Sequence, residues 1–303
     1  MALDAYTAAM LRLMTAAYPD LGGTVTDAQE ARRIYAKARF PRGREVAAVE
    51  DVAIPPGIRA RVYRPRTENP APPVIVYFHG GGFVLCDLDS HDGVCRLLCE
   101  DASAIVVSVD YRRAPEHRYP AAADDAYDAV CWVAEHAAEL GGDPAWLAVA
   151  GDSAGGNLAA VTCLRARDEG FPRLDFQLLI YPVTDCFAPR AENAEGYLLT
   201  SAHMRWYVEQ YLADPADGRQ PYASPLLAED LSGLPPALVI TAEHDPLREE
   251  GAAYGARLID AGVPARVHQV DGLFHGTFGL GELVPIAREA EQAAVTALTS
   301  AFR

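Results

Sequence analysis

The chain has 303 residues, of which 50% are apolar and 22% are charged, as expected for one large globular domain or a domain with a lid. Its formal net charge of −16 argues against a nucleic-acid-binding surface and against binding to anionic membranes. The N-terminus lacks the basic and apolar regions of a signal peptide, and no apolar run is long enough to cross a bilayer, so we expect a cytoplasmic protein without stable membrane insertion.

Two amphipathic helices are predicted ahead of the first strand. Residues 3–17 place apolar side chains at helical spacing, on one face. Thr26 and Gln29 resemble a capping box that opens a second helix, which is expected to stop near Pro41. Helices at this place do not belong to a repeating strand–helix unit. We therefore expect them to form part of a lid or to pack on the outside of the sheet.

The central part of the chain alternates between predicted strands and helices. Segments 46–54 and 58–63 alternate apolar and polar residues around a Pro-Pro-Gly turn and predict an antiparallel hairpin at a sheet edge. From residue 74 the period changes, and 74–78 is continuously apolar, as expected of a parallel strand covered on both faces. Further strands are predicted at 104–109, 147–150, 178–181, 237–241 and 265–270. Helical segments separate most of these runs, at 92–101, 121–139, 154–169, 247–261 and 284–301. The pattern predicts an α/β fold with a doubly wound, mostly parallel, eight-stranded sheet.

One long interval interrupts this alternation. Between Pro182 and Pro235 there is no clear parallel strand, and an aromatic-rich stretch at 204–212 has helical spacing. The interval is too long for an ordinary connection, which makes it the second candidate lid segment. We therefore expect a helical cap and an α/β core, the cap built from residues 1–45 and 183–234 and the core from residues 46–182 and 235–303.

The motif G-x-S-x-G occupies residues 151–155, between a strand-like and a helix-like run. A serine hydroxyl becomes an effective nucleophile when a sharp turn presents it to a base. Side chains two positions either way would collide in such a turn, which explains Gly151 and Gly155. The following helix would bring its N-terminal amides and positive dipole end to a developing oxyanion. Ser153 is the candidate nucleophile, and a plain glycine-rich turn is the alternative.

A second glycine-rich motif, HGGGF at residues 79–83, directly follows the first parallel strand. Consecutive glycines at Gly80, Gly81 and Gly82 let backbone amides approach a ligand without intervening side chains. Loops of this HGGG type supply oxyanion donors together with the amide that follows the nucleophile. His79 is expected to shape the loop itself. A flexible turn is the weaker alternative, because this motif occurs together with the motif at 151–155.

The other members of a serine-hydrolase triad follow the nucleophile in the order acid, then histidine. Asp245 and His275 fit this order, and each lies just past a predicted strand. Catalytic groups in open α/β sheets collect at the carboxyl ends of the strands. The predicted triad is therefore Ser153, Asp245 and His275.

Several other side chains compete for these roles. His244 remains an alternative base, and the alternative acids are Glu243, Glu249 and Glu250. His268 lies within a strand pattern and is expected to be structural. Asp152, beside the nucleophile, is expected to bind local backbone or a neighbouring loop rather than to serve as the triad acid.

Two further groupings are expected to be structural. A short acidic segment lacks the EF-hand spacing and its glycine, so we predict a polar loop that caps the next helix rather than a metal site; its residues are Asp87, Asp89, His91 and Asp92. The six cysteines include no C-x-x-C pair and lie mostly in apolar segments, which predicts free buried thiols. Neither a metal nor a cofactor is expected.

The motifs resemble those of the bacterial hormone-sensitive-lipase-like esterases, an α/β-hydrolase family. The similarity covers most of the chain: HGGGF at 79–83, YRRAPEH at 111–117, PAA at 120–122, GDSAGGN at 151–157, DPLR at 245–248 and HG at 275–276. Arg113 departs from the apolar residue that the family more often has, which bears on local packing. The resemblance implies an α/β-hydrolase fold with a cap from the two lid segments, and oxyanion amides from Gly81, Gly82 and Ala154. It also implies short- to medium-chain acyl esters as substrates and a homodimer formed through the last strand or a neighbouring helix.

The sequence therefore predicts an ester hydrolase that acts on small-molecule esters through the predicted triad and an acyl-enzyme intermediate. An amidase, peptidase or lactonase with the same triad is the main alternative. A non-catalytic binding protein is the weaker one, since the plant gibberellin receptors resemble this family. Epoxide and haloalkane hydrolysis is disfavoured because those enzymes need a carboxylate at the position that Ser153 occupies. The residues expected to line the substrate pocket are Phe83, Trp206 and Phe274.

Overall fold

An eight-stranded sheet forms the centre of this computed structural model, which describes residues 3, 5–38, 41–187 and 197–302. The strands are β1 Ala48–Ile54, β2 Ile58–Arg64, β3 Val74–Phe78, β4 Ile105–Asp110, β5 Leu147–Asp152, β6 Phe176–Ile180, β7 Ala237–His244 and β8 Ala265–Phe274. They lie in the order β1-β2-β4-β3-β5-β6-β7-β8. β1 and β2 form an antiparallel hairpin, β2 is antiparallel to β4, and β3 to β8 are parallel. The predicted edge hairpin and mostly parallel sheet are confirmed.

The continuously apolar strands fill two hydrophobic layers, one on each face of the sheet. In β3, Val74, Val76 and Phe78 belong to one layer, and Ile75 and Tyr77 belong to the other. Successive side chains of a strand point to opposite faces, so a strand covered on both faces needs an apolar residue at every position. β1 lies at the edge and is exposed along most of its length, which explains its more polar sequence.

Helices cover both faces of the sheet. They are α1 Ala5–Ala17, α2 Ala28–Tyr35, α3 Asp92–Asp101, α4 Ala121–His136, α5 Ala154–Glu169, α6 Ser201–Tyr211, α7 Arg248–Asp260 and α8 Ala287–Ala301. Buried residues of α4, α5 and α7 join the layer that contains Val74, whereas those of α3 and α8 join the layer that contains Ile75. The doubly wound arrangement expected from the alternation of strands and helices is therefore present.

The N-terminal lid segment and the long insertion contact each other. The hydroxyl oxygens of Tyr18 and Tyr207 lie 2.5 Å apart. The indole N–H of Trp206 in α6 donates a hydrogen bond to the carbonyl oxygen of Thr26, with 3.0 Å between the heavy atoms. These contacts join residues about 180 positions apart in the sequence. The two candidate lid segments therefore meet, although residues 188–196 of the insertion lie outside the described residues.

The second helix begins in a different way from the predicted capping box. Its N-cap is Asp27, whose Oδ1 accepts a hydrogen bond from the backbone N–H of Glu30 at 2.8 Å. The helix ends at Tyr35, well before Pro41. Asp is a stronger N-cap residue than Thr, because its short carboxylate readily reaches the unpaired amides of the first turn. The prediction of Thr26 and Gln29 as the capping pair was therefore wrong.

The N-cap residue of α2 leads to a testable prediction about stability. We expect Asp27→Ala to lower the free energy of unfolding by about 1 kcal/mol, because the N–H of Glu30 loses its acceptor. Thr26→Ala is the matched control and should change stability less, since Thr26 contacts Trp206 through its backbone carbonyl. Urea denaturation followed by circular dichroism measures both variants. Equal losses in the two variants, or no loss in Asp27→Ala, would contradict the assignment.

Three further features of the described residues concern disulfides, metal sites and membrane spans. None of the six cysteines forms a disulfide, and five of them are buried, which confirms the prediction of reduced thiols. Within the described ranges, no group of His, Cys, Asp and Glu side chains is arranged to hold a metal ion. No helix in this part of the chain is both long enough and apolar enough to cross a membrane.

Candidate active site

The predicted triad residues come from three loops at the carboxyl ends of neighbouring strands. Ser153 follows β5, Asp245 follows β7 and His275 follows β8. β5, β6, β7 and β8 are adjacent and parallel, so their carboxyl ends lie at one edge of the sheet. This edge is the usual place for catalytic groups in open α/β sheets. The topology thus brings together residues that are up to 122 positions apart.

A chain of short contacts joins the three side chains. Nε2 of His275 lies 2.9 Å from Oγ of Ser153, and Nδ1 of His275 lies 2.7 Å from Oδ2 of Asp245. Asp245 is fully buried, and its Oδ1 accepts a hydrogen bond from the backbone N–H of Leu247 at 2.8 Å. The ring of Tyr181 packs against the imidazole with 4.6 Å between centroids. The structure therefore contains a buried carboxylate–imidazole–hydroxyl chain.

The serine sits on a sharp turn between β5 and α5. Its φ is 56° and its ψ is −118°, a backbone conformation that costs energy for a residue with a side chain. A Cβ atom on Gly151 would collide with the carbonyl group of Gly155, and one on Gly155 would collide with the carbonyl oxygen of Phe78. Only glycine fits at these two positions. The turn has the geometry of a nucleophile elbow.

The glycine loop lies beside the serine and is covered by the insertion. Gly82 has a φ of 61°, and a Cβ atom there would overlap the ring of Tyr207 in α6. Phe83 stacks on Tyr211 of the same helix, with ring centroids 3.8 Å apart. The three predicted oxyanion residues are Gly81, Gly82 and Ala154. Their backbone N–H groups donate to no acceptor in the described part of the chain. Three amide donors near Ser153 are therefore available to a ligand.

Asp152 and His79 hold the glycine loop in place. Oδ1 of Asp152 accepts hydrogen bonds from the hydroxyl of Tyr77 at 2.6 Å and from the backbone N–H of Gly80 at 2.9 Å. His79 stacks on Tyr111 with 4.3 Å between centroids, and its Nδ1–H donates to the carbonyl oxygen of Gly80. Burial lowers the pKa of His79 to about 3, so its ring is neutral. Both side chains contact the loop, as their positions beside the two motifs suggested.

A cavity of about 310 Å³ opens beside the serine. Ser153 and His275 line it together with Gly81 and Gly82, whereas Ala154 lies just behind Ser153 at the start of α5. The remaining wall is largely apolar and includes side chains of both lid segments, among them Met10, Met14, Tyr18, Met204 and Tyr207. A mostly apolar cavity with a few polar groups at one end suits a small organic molecule.

Of the three predicted pocket residues, only Phe83 lines this cavity within the described chain. Phe274 is the last residue of β8 and is fully buried in the hydrophobic layer, because neighbouring strand residues point to opposite sides and His275 takes the cavity side. Trp206 contacts Thr26, while the next residue, Tyr207, faces the cavity. The prediction that Trp206 and Phe274 line the pocket differs from the structure for these reasons.

The alternative bases have other partners. Nδ1 of His268 lies 3.3 Å from a guanidinium nitrogen of Arg266, and its Nε2 lies 3.3 Å from Oε1 of Glu289. Nε2 of His244 lies 3.8 Å from Glu243. Neither histidine is among the described residues that line the cavity. His275 is the histidine that contacts the hydroxyl of Ser153.

The alternative acids also have contacts elsewhere. Oε2 of Glu243 accepts a hydrogen bond from the backbone N–H of Gly272 at 2.6 Å. Glu249 pairs with Arg248, and Glu250 accepts a hydrogen bond from the backbone N–H of Thr184 at 2.7 Å. These carboxylates therefore support loops and surface helices around the site, whereas Asp245 contacts the imidazole.

The mostly parallel sheet, the elbow after β5 and the ordered serine, acid and histidine define an α/β-hydrolase. A family model described as an alpha/beta hydrolase fold matches residues 75–279, and the chain belongs to this family. It is 50% identical to esterase LipI of Mycobacterium tuberculosis over 82% of this chain and 81% of that protein. It is 42% identical to an ethyl acetate hydrolase of Pseudomonas putida over 78% of this chain and 77% of the relative.

Among solved structures, a hyperthermophilic esterase from the archaeon Pyrobaculum calidifontis is similar over 99% of both chains. Its TM-score is 0.91 and its sequence identity is 42%. The similarity thus extends over both lid segments as well as the sheet. The resemblance to the hormone-sensitive-lipase-like esterases is confirmed.

Proposed function

We propose that the protein is a carboxylic ester hydrolase that cleaves short- to medium-chain acyl esters by two successive acyl transfers. The observation that carries this proposal is the chain of contacts from Asp245 through His275 to Ser153, at the wall of an apolar cavity. Such a chain activates serine for attack on a carbonyl carbon. Esters are the favoured substrate class, because the relatives include esterases and an ethyl acetate hydrolase.

In the first transfer, Oγ of Ser153 attacks the carbonyl carbon of the ester while Nε2 of His275 accepts the hydroxyl proton. Asp245 accepts a hydrogen bond from Nδ1–H, which holds the ring in the tautomer whose Nε2 is free to accept. The negative charge of Asp245 stabilises the imidazolium that forms on His275. His275 then protonates the leaving alcohol as the carbon–oxygen bond breaks. The acyl group remains on Ser153.

The negative charge that develops on the carbonyl oxygen is stabilised by backbone amides. Gly81, Gly82 and Ala154 supply the N–H donors, and Ala154 also begins α5, whose positive dipole end faces the same oxygen. Loss of one such donor typically lowers kcat by about 10²–10³. Because Asp152 and Tyr207 fix the loop, the donors are in place before the substrate binds.

In the second transfer, water takes the place of the serine. His275 accepts a proton from water as the water oxygen attacks the acyl carbon. The proton then passes to Oγ of Ser153, and the carboxylic acid is released. The cycle consumes one water molecule and uses neither a metal nor a cofactor.

The cap consists of residues 1–45 and 183–234, and the core of residues 46–182 and 235–303. This division is supported by the contact of Tyr18, just after α1, with Tyr207 of α6 and by the cavity, whose wall contains Met10 and Tyr207 as well as Ser153. The cap thus determines how much acyl chain the site accepts. Since Leu13 also lines the cavity and is 65% exposed, the opening lies beside α1.

The cavity volume leads to a prediction about chain length. We expect kcat/KM for p-nitrophenyl esters to be highest for butyrate or hexanoate and lowest for palmitate. The reason is that 310 Å³ lies at the small end of ligand cavities, which span about 300–1,000 Å³. A series from acetate to palmitate, measured below the solubility limit of each ester, tests this. A maximum at palmitate would contradict the proposed chain-length range.

The same assay distinguishes the alternative functions. Butyranilide and a small lactone are compared with phenyl butyrate at equal concentrations. Faster hydrolysis of the amide or the lactone than of the ester would assign the triad to an amidase or a lactonase. Binding of all three compounds without turnover would indicate a non-catalytic binding protein.

We further infer that the protein is a cytoplasmic homodimer. β8 is the last strand of the sheet and pairs only with β7 within the described residues, so its outer edge is open to a strand of a second copy. Sedimentation at several concentrations tests the dimer, and a monomer at every concentration would contradict it. Fractionation of the native cells tests the cytoplasmic location.

A further inference from the structure

The side chain of His91 points towards the glycine loop instead of capping the next helix. The polar segment before α3 was expected to act as a helix cap. His91 occupies the N-cap position, but its side chain makes no capping hydrogen bond. Asp87 instead closes the local turn by accepting hydrogen bonds from the backbone N–H groups of Asp89 and Ser90. His91 is therefore free of the role that the sequence suggested.

The imidazole of His91 is held between two partners. Its Nε2 lies 3.2 Å from Oδ1 of Asp152, and its Nδ1 lies 3.0 Å from Oγ of Ser90. The backbone nitrogen of Gly80 also lies 3.4 Å from Nε2, but its N–H donates to Oδ1 of Asp152 over the shorter distance of 2.9 Å. A carboxylate oxygen only accepts hydrogen bonds, so we assign Nε2–H as the donor in the contact with Asp152. Only 12% of the His91 side chain is exposed, and the ring packs 5.7 Å from the ring of His79. The contact is thus largely shielded from solvent.

The same carboxylate oxygen binds the glycine loop. Oδ1 of Asp152 also accepts hydrogen bonds from the backbone N–H of Gly80 and from the hydroxyl of Tyr77. Burial alone would raise the pKa of Asp152, but the imidazole of His91 and the hydrogen bonds from His91 and Tyr77 outweigh it, so the pKa lies below its usual value. His91 and Tyr77 therefore stabilise the ionised form that the loop amide needs as its acceptor.

We propose that His91 is a positioning residue for the oxyanion loop. Its Nε2–H orients the carboxylate of Asp152, Asp152 holds the amide of Gly80, and the next two residues, Gly81 and Gly82, are thereby placed beside Ser153. This inference rests on the proposed function, because those two residues supply the proposed oxyanion donors. It assigns His91 no contact with the reacting atoms. The effect of His91 passes through Asp152.

Three substitutions at one position separate this role from simple packing. The amide nitrogen of Gln reaches the place of Nε2, that of Asn reaches the place of Nδ1, and Leu supplies neither donor. We expect His91→Leu and His91→Asn to lower kcat about tenfold with KM within about twofold, less than the loss of a direct oxyanion donor. His91→Gln should restore most of kcat. Inhibition by a butyl trifluoromethyl ketone should weaken in step with kcat/KM, since that adduct carries the oxyanion.

A second position tests the same carboxylate independently. Tyr77→Phe removes another donor to Oδ1 of Asp152 and should lower kcat in the same way, even if a His91 variant does not fold. His136→Leu, on the surface helix α4 and outside the cavity-lining residues described, is the control and should keep wild-type kinetics.

Three outcomes would overturn the proposal. They are an unchanged kcat in His91→Leu, a His91→Gln variant as slow as His91→Leu, and a rise in KM without a change in kcat. The last would mean that His91 contacts the substrate, since its ring also lines the cavity. Failure of the proposed function is a different result, because it would appear as full activity in Ser153→Ala. The two can be distinguished in one set of assays.

Discussion

Ser153→Ala is expected to abolish the hydrolysis of p-nitrophenyl butyrate and to leave the fold intact. The substitution removes the oxygen that would form the bond to the acyl carbon, and no other described hydroxyl contacts Nε2 of His275. Loss of a triad serine lowers kcat by on the order of 10⁶ in a serine hydrolase. Alanine also has a Cβ atom, so the strained turn at φ 56° is not made worse. The loss is measured from initial rates, after repeated purification has removed any contaminating active enzyme.

A matched control separates chemistry from folding. Ser108 in β4 is also fully buried but lies outside the described lining of the cavity. Ser108→Ala should therefore keep nearly full activity. Circular dichroism and the Tm should be close to those of the wild type for both variants. Undiminished activity in Ser153→Ala would refute the proposed mechanism, whereas a collapse of the Tm would make that variant uninformative and leave the decision to His275.

His275→Ala is expected to be as inactive as Ser153→Ala, while His268→Ala keeps its activity. His275 contacts both Ser153 and Asp245, so its removal leaves the hydroxyl without a base and takes the imidazole away from a buried carboxylate. We expect a loss of about 10⁶ in kcat. His268 lies between Arg266 and Glu289 on the outer strand, and its loss should affect only local stability.

The comparison of the two histidines also tests the assignment of the base. Activity is measured with p-nitrophenyl butyrate across the pH range in which the wild type is stable. A dead His268→Ala variant together with an active His275→Ala variant would reassign the base. If both variants were active, the serine would not depend on a histidine, and the triad would be excluded.

Most of the fold and the triad could be predicted because each depends on local patterns. Continuously apolar runs such as 74–78 are needed wherever both faces of a strand are covered, and β3 is buried at every position, whereas the edge strand β8 is more polar and partly exposed. The elbow glycines are fixed by close backbone contacts, which also hold in the structure. Asp245 and His275 could be chosen because parallel strands present their carboxyl ends at one edge.

The residues that line the pocket could not be predicted as well as the triad. They depend on which face of each helix turns towards the cavity and on contacts between segments that are distant in sequence. The aromatic stretch at 204–212 indicated the right helix, but whether Trp206 or Tyr207 faces the cavity depends on its rotation against Thr26. The contact of Tyr207 with Tyr18 spans 189 positions. No periodicity within one segment encodes such a pairing.

The network behind the glycine loop was also missed. Asp152 was expected to bind local backbone or a neighbouring loop, and it does bind the N–H of Gly80; its further contacts with Tyr77 and His91, from two other elements, were not foreseen. The polar composition of residues 87–92 favoured a helix cap, since short acidic residues often play that role. One signal could have pointed to this network: a histidine lies near the end of the polar segment and close in sequence to the glycine-rich loop.

The central claim is that Ser153 forms the covalent intermediate, and the most direct test is to locate an adduct. A p-nitrophenyl butylphosphonate reacts with an activated serine by forming a phosphorus–oxygen bond and releasing p-nitrophenolate. We expect one p-nitrophenolate for each chain, complete loss of activity, and the added mass on the peptide that contains Ser153, with no labelling of Ser153→Ala. Stoichiometric labelling of a different residue, or continued hydrolysis with Ser153 fully modified, would contradict the claim.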